Sequence, residues 1–294
     1  MTGETGADWW WPSAWSGARG FWLAAVPVIR LHSPTMITSM TRSQRALLWL
    51  VATLAGPLGA QVTESPRTVA PGRVLVRMDG LKLSFDRADA AGNTHNVVAV
   101  ASTTVRAGLS ESVDLQVGFD FFLKETVKFR GARDSDSGLG DISLRTKWTF
   151  WRDEKAGAAA ALLPYFRLPT GSSAVAGKAV EGGVIVPWAM DAGAGFKAGA
   201  MAQWDVVRND ADNGYDARWF VSGFAVRDLT SAFSVYGEAT VEIPSTGLSH
   251  SAASIGAGVL WRYSKHLEFD YELQRGLGER ASAWTHIWRV NWGW

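Results

Sequence analysis

Histidine, serine and carboxylate are the residue types here that could do chemistry. The 294 residues include five histidines and no cysteine, which removes disulfides, thiolate metal sites and a cysteine nucleophile. His250 stands between Ser249 and Ser251, the types a lipid hydrolase uses. No Gly-x-Ser-x-Gly turn is present to raise a nucleophile, and an exposed loop histidine is commonplace. His286 alternates with Trp284 and Trp288, which favours an interfacial position over catalysis. Asp134 and Asp136 precede Gly138 at calcium-loop spacing, and Asp210 with Asp212 repeat the theme. Neither stretch has the downstream Glu or the flanking helices of an EF-hand. Solvated loops are expected there, able at most to bridge a divalent ion weakly to lipopolysaccharide. No catalytic residue, metal or cofactor is therefore assigned. A formal net charge of +1 argues against a nucleic-acid footprint.

The charged residues that remain are ordered by period. Val113, Leu115, Val117, Phe119, Phe121 and Leu123 alternate with Asp114, Gln116, Asp120 and Lys124. Ile142, Leu144, Trp148 and Phe150 alternate with Ser143, Arg145 and Lys147, and Leu267, Phe269, Tyr271 and Leu273 with Glu268, Asp270, Glu272 and Gln274. Period two is that of a strand whose side chains point to opposite faces. Twelve strands are predicted, at 73–86, 96–107, 112–125, 139–151, 156–168, 182–190, 195–207, 216–227, 232–243, 253–263, 267–275 and 283–294. The breaks alternate short (108–111, 152–155, 229–231, 264–266) and long (87–95, 126–138, 169–181, 208–215, 244–252, 276–282).

Such alternation, strands of ~9–14 residues and aromatics near strand ends (Trp148, Trp151, Trp188, Trp204, Trp219, Trp261) fit an all-β, antiparallel, up-and-down transmembrane barrel. An even strand count puts both termini in the periplasm. The competing architecture is a soluble sandwich or propeller. In a barrel the Trp-rich faces meet lipid. Asp114, Asp120, Arg145, Lys147, Glu238, Glu242, Glu268, Asp270, Glu272 and Arg289 then line the lumen, because ionisable groups in lipid must pair or meet water. Basic groups on the fourth strand, facing acidic ones on the ninth and eleventh, would either make a transverse field in a water-filled pore or fill a narrow barrel with salt bridges.

The ends of the chain carry addresses. Residues 36–60 have a basic start (Arg42, Arg45), a short apolar run and a small-residue cleavage site at Gly59-Ala60, the layout of a signal peptide. Residues 1–35 ahead of it read as a leader from a mis-assigned start, with Met36 or Met40 as alternatives to Met1. Residues 61–72 follow as a periplasmic segment and 73–294 as the barrel. The chain ends on Trp284, Trp288, Val290, Trp292 and Trp294 at one parity. Trp288, Trp292 and Trp294 resemble the terminal signal read by the outer-membrane assembly machinery.

The stretch Gly138-Leu-Gly-Asp-Ile-Ser-Leu-Arg-Thr-Lys-Trp148 resembles a Gly-x-Gly-Asp-x-x-Leu-x-x-Lys-aromatic motif, and Pro164-Tyr-Phe-Arg-Leu-Pro-Thr-Gly171 resembles the strand that follows it. Both belong to a family of outer-membrane proteins named for the meta-pathway of phenol degradation and also described as transporters. Gly138, Gly140, Asp141, Lys147, Pro169 and Gly171 carry the resemblance. It implies a barrel that passes small solutes, hydrophobic or aromatic ones included, with outer-membrane lipid, lipopolysaccharide and the assembly machinery as partners. A closed structural barrel and an outer-membrane lipid hydrolase are the alternatives. Read physically, the glycines let the loop turn into the strand, and Asp141 caps or pairs at the rim. Barrel architecture is the reading the residues favour.

Overall fold

The computed structural model describes residues 62–89, 92–129, 131–209 and 213–294. The expected leader and signal peptide lie outside the described residues. Twelve strands close an antiparallel barrel: β1 (Val74–Phe85), β2 (Thr94–Gly108), β3 (Val113–Phe129), β5 (Ile142–Asp153), β6 (Ala158–Leu168), β7 (Glu181–Gly193), β8 (Phe196–Arg208), β9 (Tyr215–Asp228), β10 (Phe233–Pro244), β11 (Ala252–Arg262), β12 (Leu267–Leu277) and β13 (Trp284–Gly293). β1 and β13 close the circle, paired from Leu75↔Gly293 to Phe85↔Trp284. The last residue joins this seam, since Val74 and Trp294 exchange both backbone hydrogen bonds at 3.1 Å. Closure gives each of these twelve strands a neighbour on both sides, which an apolar bilayer demands.

β4 (Ala132–Gly138) stands apart, pairing only with the far half of β3. Residues 126–129 and 132–138, expected within a loop, are thus paired strand that carries the wall past the long-loop rim. Its sequence is polar and exposed on both faces, so no alternation marked it. Backbone pairing to β3 alone makes it a strand.

Alternation sorts the other strands as lipid would. Leu115, Val117, Leu144, Trp148, Trp219, Trp261, Trp288 and Trp292 are exposed, while Asp114, Lys147, Glu272 and Arg289 are buried. In water this arrangement would be inside-out. Aromatics mark both rims. Trp148, Trp151, Trp261 and Trp292 lie toward the short turns, and Trp204, Trp219 and Trp284 toward the long loops. Phe233 stacks on Trp261 (6.1 Å, 5°) and Trp292 meets Trp294 at 4.8 Å, the girdle that anchors a barrel at the interface.

The alternation breaks once in three neighbouring strands. Asp79 and Lys82 on β1 are both buried, as are Ala99 and Ser102 on β2. Gly80 is the extra residue against β13, and Ala101 opposite it takes a left-handed φ of 54°. These bulges flip the parity above them. Leu123, expected on the lipid face with Phe121, therefore points inward, only 4% exposed, against Ala99 and Val175.

Candidate functional site

The register places lumenal charges of neighbouring strands in rows. Asp270 of β12, Arg289 of β13 and Asp79 of β1 are direct cross-strand partners. Arg289 donates to Asp79 (2.7 Å), Asp270 (2.5 Å) and Glu272 (3.4 Å). Tyr236 of β10 donates its hydroxyl to Asp270 at 2.8 Å. One guanidinium thus neutralises three carboxylates where an unpaired charge would cost several kcal/mol. Farther round, Arg218 bridges Asp205 (3.5 Å) and Glu242 (3.7 Å), and Arg262 bridges Asp228 (2.9 Å) and Glu268 (3.7 Å). Asn291 also donates to Glu268, at 2.9 Å. Asp114 is fully buried, paired with Arg106 at 2.9 Å.

The residues just before β1 supply the partners that β5 and β10 lack within the wall. The Glu64 carboxylate lies 3.2 Å from Lys147 Nζ and 3.5 Å from Arg145. Lys147 also donates to the Ser65 carbonyl (2.5 Å), and Thr149 to that of Pro66 (2.6 Å). On the opposite wall Glu238 accepts the amides of Val62 (3.0 Å) and Thr63 (2.6 Å) and the Thr63 hydroxyl. The Val69 amide reaches Asp114 at 2.9 Å. Residues 62–69 therefore cross the lumen, clasped by side chains of β3, β5 and β10. Burial alone would raise the Glu64 carboxyl. Lys147, Arg106, Arg145 and Arg77 outweigh it and hold the group well below the usual carboxylate range.

The lumen has a second, apolar side. Leu163, Tyr165, Ile185, Met201 and Phe220 form one inward cluster, against which Val62 packs. Ala189, Phe224, Val226, Tyr236 and Leu260 form another beside it. Between the charged and apolar sides is a cavity of about 40 Å³, lined by Ser102, Asp120, Ser143, Arg145, Tyr165 and Arg167 among others.

The two motif stretches meet at the long-loop rim. Asp141 accepts the amides of Gly171 (3.1 Å) and Gly177 (2.7 Å). The Ser172 Oγ joins this junction as well, accepting the Leu139 amide at 2.9 Å. A Cβ at Gly171 would lie 2.6 Å from the Leu139 carbonyl, and one at Gly140 2.6 Å from the Asp120 Cβ. The glycines permit that approach and the aspartate fastens it. Loop 169–180 is thereby turned inward, with Val175 fully buried.

The ten charged positions expected in the lumen divide by their burial. Asp114, Lys147, Glu238, Asp270, Glu272 and Arg289 are buried, and Asp120, Arg145, Glu242 and Glu268 are half-buried. Arg145 and Lys147 do not meet the acidic strands; they meet Glu64. Sequence reasoning missed Glu64, Asp79, Lys82, Arg106, Tyr165, Arg218 and Tyr236. The parity break conceals the β1 pair, and nothing periodic marks residues 62–69. Ser249 and His250 touch at 3.2 Å on an exposed 3-10 turn. His286 is on the outer face, bonded to Tyr271 at 2.9 Å and stacked on Trp288. Asp134 and Asp136 are exposed on β4, and Asp210 and Asp212 lie outside the described residues.

A closed twelve-strand barrel with an aromatic, apolar exterior and a charged interior defines an outer-membrane β-barrel protein. The chain belongs to the family described as "Putative MetA-pathway of phenol degradation", whose model matches residues 59–293. Among solved structures it is similar to the COG4313 outer membrane channel from Pseudomonas putida F1, at 11% identity and a TM-score of 0.59, over 81% of this chain and 100% of that one. It is also similar to the transport unit of the autotransporter AIDA-I from Escherichia coli, at 10% identity and a TM-score of 0.50, over 85% and 97%. The CymD monoaromatic hydrocarbon channel matches at 8% identity and a TM-score of 0.43, over 76% and 88%. For the first two the likeness is one of fold. No curated protein matches the sequence.

Proposed function

We propose that the protein is an outer-membrane channel for small solutes, hydrophobic or aromatic ones included, with both termini and the short turns in the periplasm. The observation that carries this reading is a lumen with one charged and one apolar wall, crossed by a single chain segment. A barrel that served only as a membrane staple could fill its interior with side chains of its own strands. Here the strands leave room, and residues 62–69 occupy it. Family membership and the fold shared with the Pseudomonas putida channel support the same reading.

The segment's occupancy is also what favours a closed structural barrel, and one experiment separates the two. Proteoliposomes of the refolded protein, placed in small organic solutes of graded size, should swell faster than protein-free liposomes up to a size limit. Swelling equal to the protein-free rate would contradict the channel. Catalysis is not part of the proposal: Ser249 and His250 lie on an exposed turn and His286 faces lipid beside Trp288. Lipid and lipopolysaccharide cover the exterior. Trp288, Trp292 and Trp294 present the assembly signal.

A further inference from the structure

The segment crossing the lumen has the chemistry of a solute. Val62 packs on the apolar cluster of Leu163, Tyr165, Ile185, Met201 and Phe220. Two residues on, the Glu64 carboxylate meets Lys147 and Arg145. An apolar group and a carboxylate, two residues apart on one segment, are therefore held side by side as they are within a small amphipathic acid. The cationic side retains capacity beyond Glu64. Lys147 is fully buried, and the buried Nε atoms of Arg145 and Arg106 have no hydrogen-bond partner among the described residues. A buried donor left unmade is costly, and a mobile carboxylate could satisfy one where a tethered one does not. The cavity beside Arg145 and Tyr165 adjoins the same site.

We infer that Lys147, Arg145 and the apolar cluster form a binding site for small amphipathic monocarboxylates, and that Val62 and Glu64 occupy it as a tethered competitor. This rests on the channel reading and names its solute class. A neutral solute of the same shape gains the apolar contact alone and does not displace Glu64. A carboxylate replaces it charge for charge, and the lysine is never left buried without a partner. Because the tethered residues hold the site, a free acid binds with its dissociation constant divided by the fraction of sites left open, so its affinity falls.

The probe is 3-phenylpropanoate, with its primary amide as the neutral control, titrated by calorimetry into the purified, folded full chain. Glu64→Gln should bind the acid at least tenfold more tightly than the unaltered protein, and the amide equally in both. Adding Lys147→Gln and Arg145→Gln to Glu64→Gln should abolish the preference for acid over amide. A second measurement needs no variant. Saturating 3-phenylpropanoate should speed hydrogen exchange of residues 62–69 in the unaltered protein at least tenfold, because the amides held by Glu238 and Asp114 are freed, and the amide compound should not. Equal acid affinity with and without Glu64→Gln, or unchanged exchange at saturation, would overturn the proposal. Either result would do so even in a preparation whose liposomes swell, so the site can fail while the channel stands.

Discussion

At the scale of single residues, Arg289 is the hinge of the lumenal electrostatics. Its guanidinium pairs with Asp79, Asp270 and Glu272 together, and all four groups are buried. Removing it strands up to three carboxylates in a low-dielectric interior, which is much costlier than deleting a surface pair. Arg289→Met, which keeps most of the apolar stem, should lower stability by about 3–5 kcal/mol, read as a lower urea midpoint for unfolding from lipid vesicles. An unchanged midpoint would mean that water already shields the cluster. The ten lumenal charges were legible individually, because each alternates with residues suited to lipid. Their partners were not. Pairing depends on cross-strand register, and register is fixed by bulges at Gly80 and Ala101 that leave no mark in composition. Leu123 shows the cost: read by strict period two it faces lipid, and three bulged strands turn it inward.

At the scale of elements, the strands were legible nearly to their ends, since each is bounded by a run of turn-forming residues and carries an apolar stripe that is interrupted in β1, β2 and β3. The exceptions are informative. β4 has no stripe because it stands beyond the bilayer, held only by backbone pairing with β3. Residues 62–69 have no period because they are bound residue by residue, by Glu238, Lys147, Thr149 and Asp114. The Gly138–Trp148 motif was legible as architecture, though its partner was not. Asp141 ties two amides of loop 169–180, and hydrogen bonds to a charged acceptor contribute about 1.5–3 kcal/mol together with their desolvation. Asp141→Ala should therefore raise hydrogen exchange at Gly171 and Gly177 by one to two orders of magnitude, as those energies imply, while the amides of β9 to β12 keep their protection. Loss of protection throughout the barrel would show that the latch is part of the global fold and not a local fastening.

At the scale of the whole molecule, the barrel places two inward apolar clusters of β6 to β11 beside rows of lumenal ion pairs, and runs residues 62–69 of its own chain between them. Val62 meets the apolar cluster and Glu64 the cations of β5. The central claim is that this segment occupies the conducting path and leaves it reversibly. The chain has no cysteine, and the side-chain oxygens of Thr63 and Ser222 lie 2.7 Å apart, close enough for a disulfide to replace them. The most direct measurement is single-channel recording from planar bilayers with the double variant Thr63→Cys, Ser222→Cys, oxidised and then reduced in the same bilayer. The account predicts silence when the disulfide is formed and intermittent openings, like those of the unaltered protein, once it is reduced. Equal conductance in both redox states would contradict it.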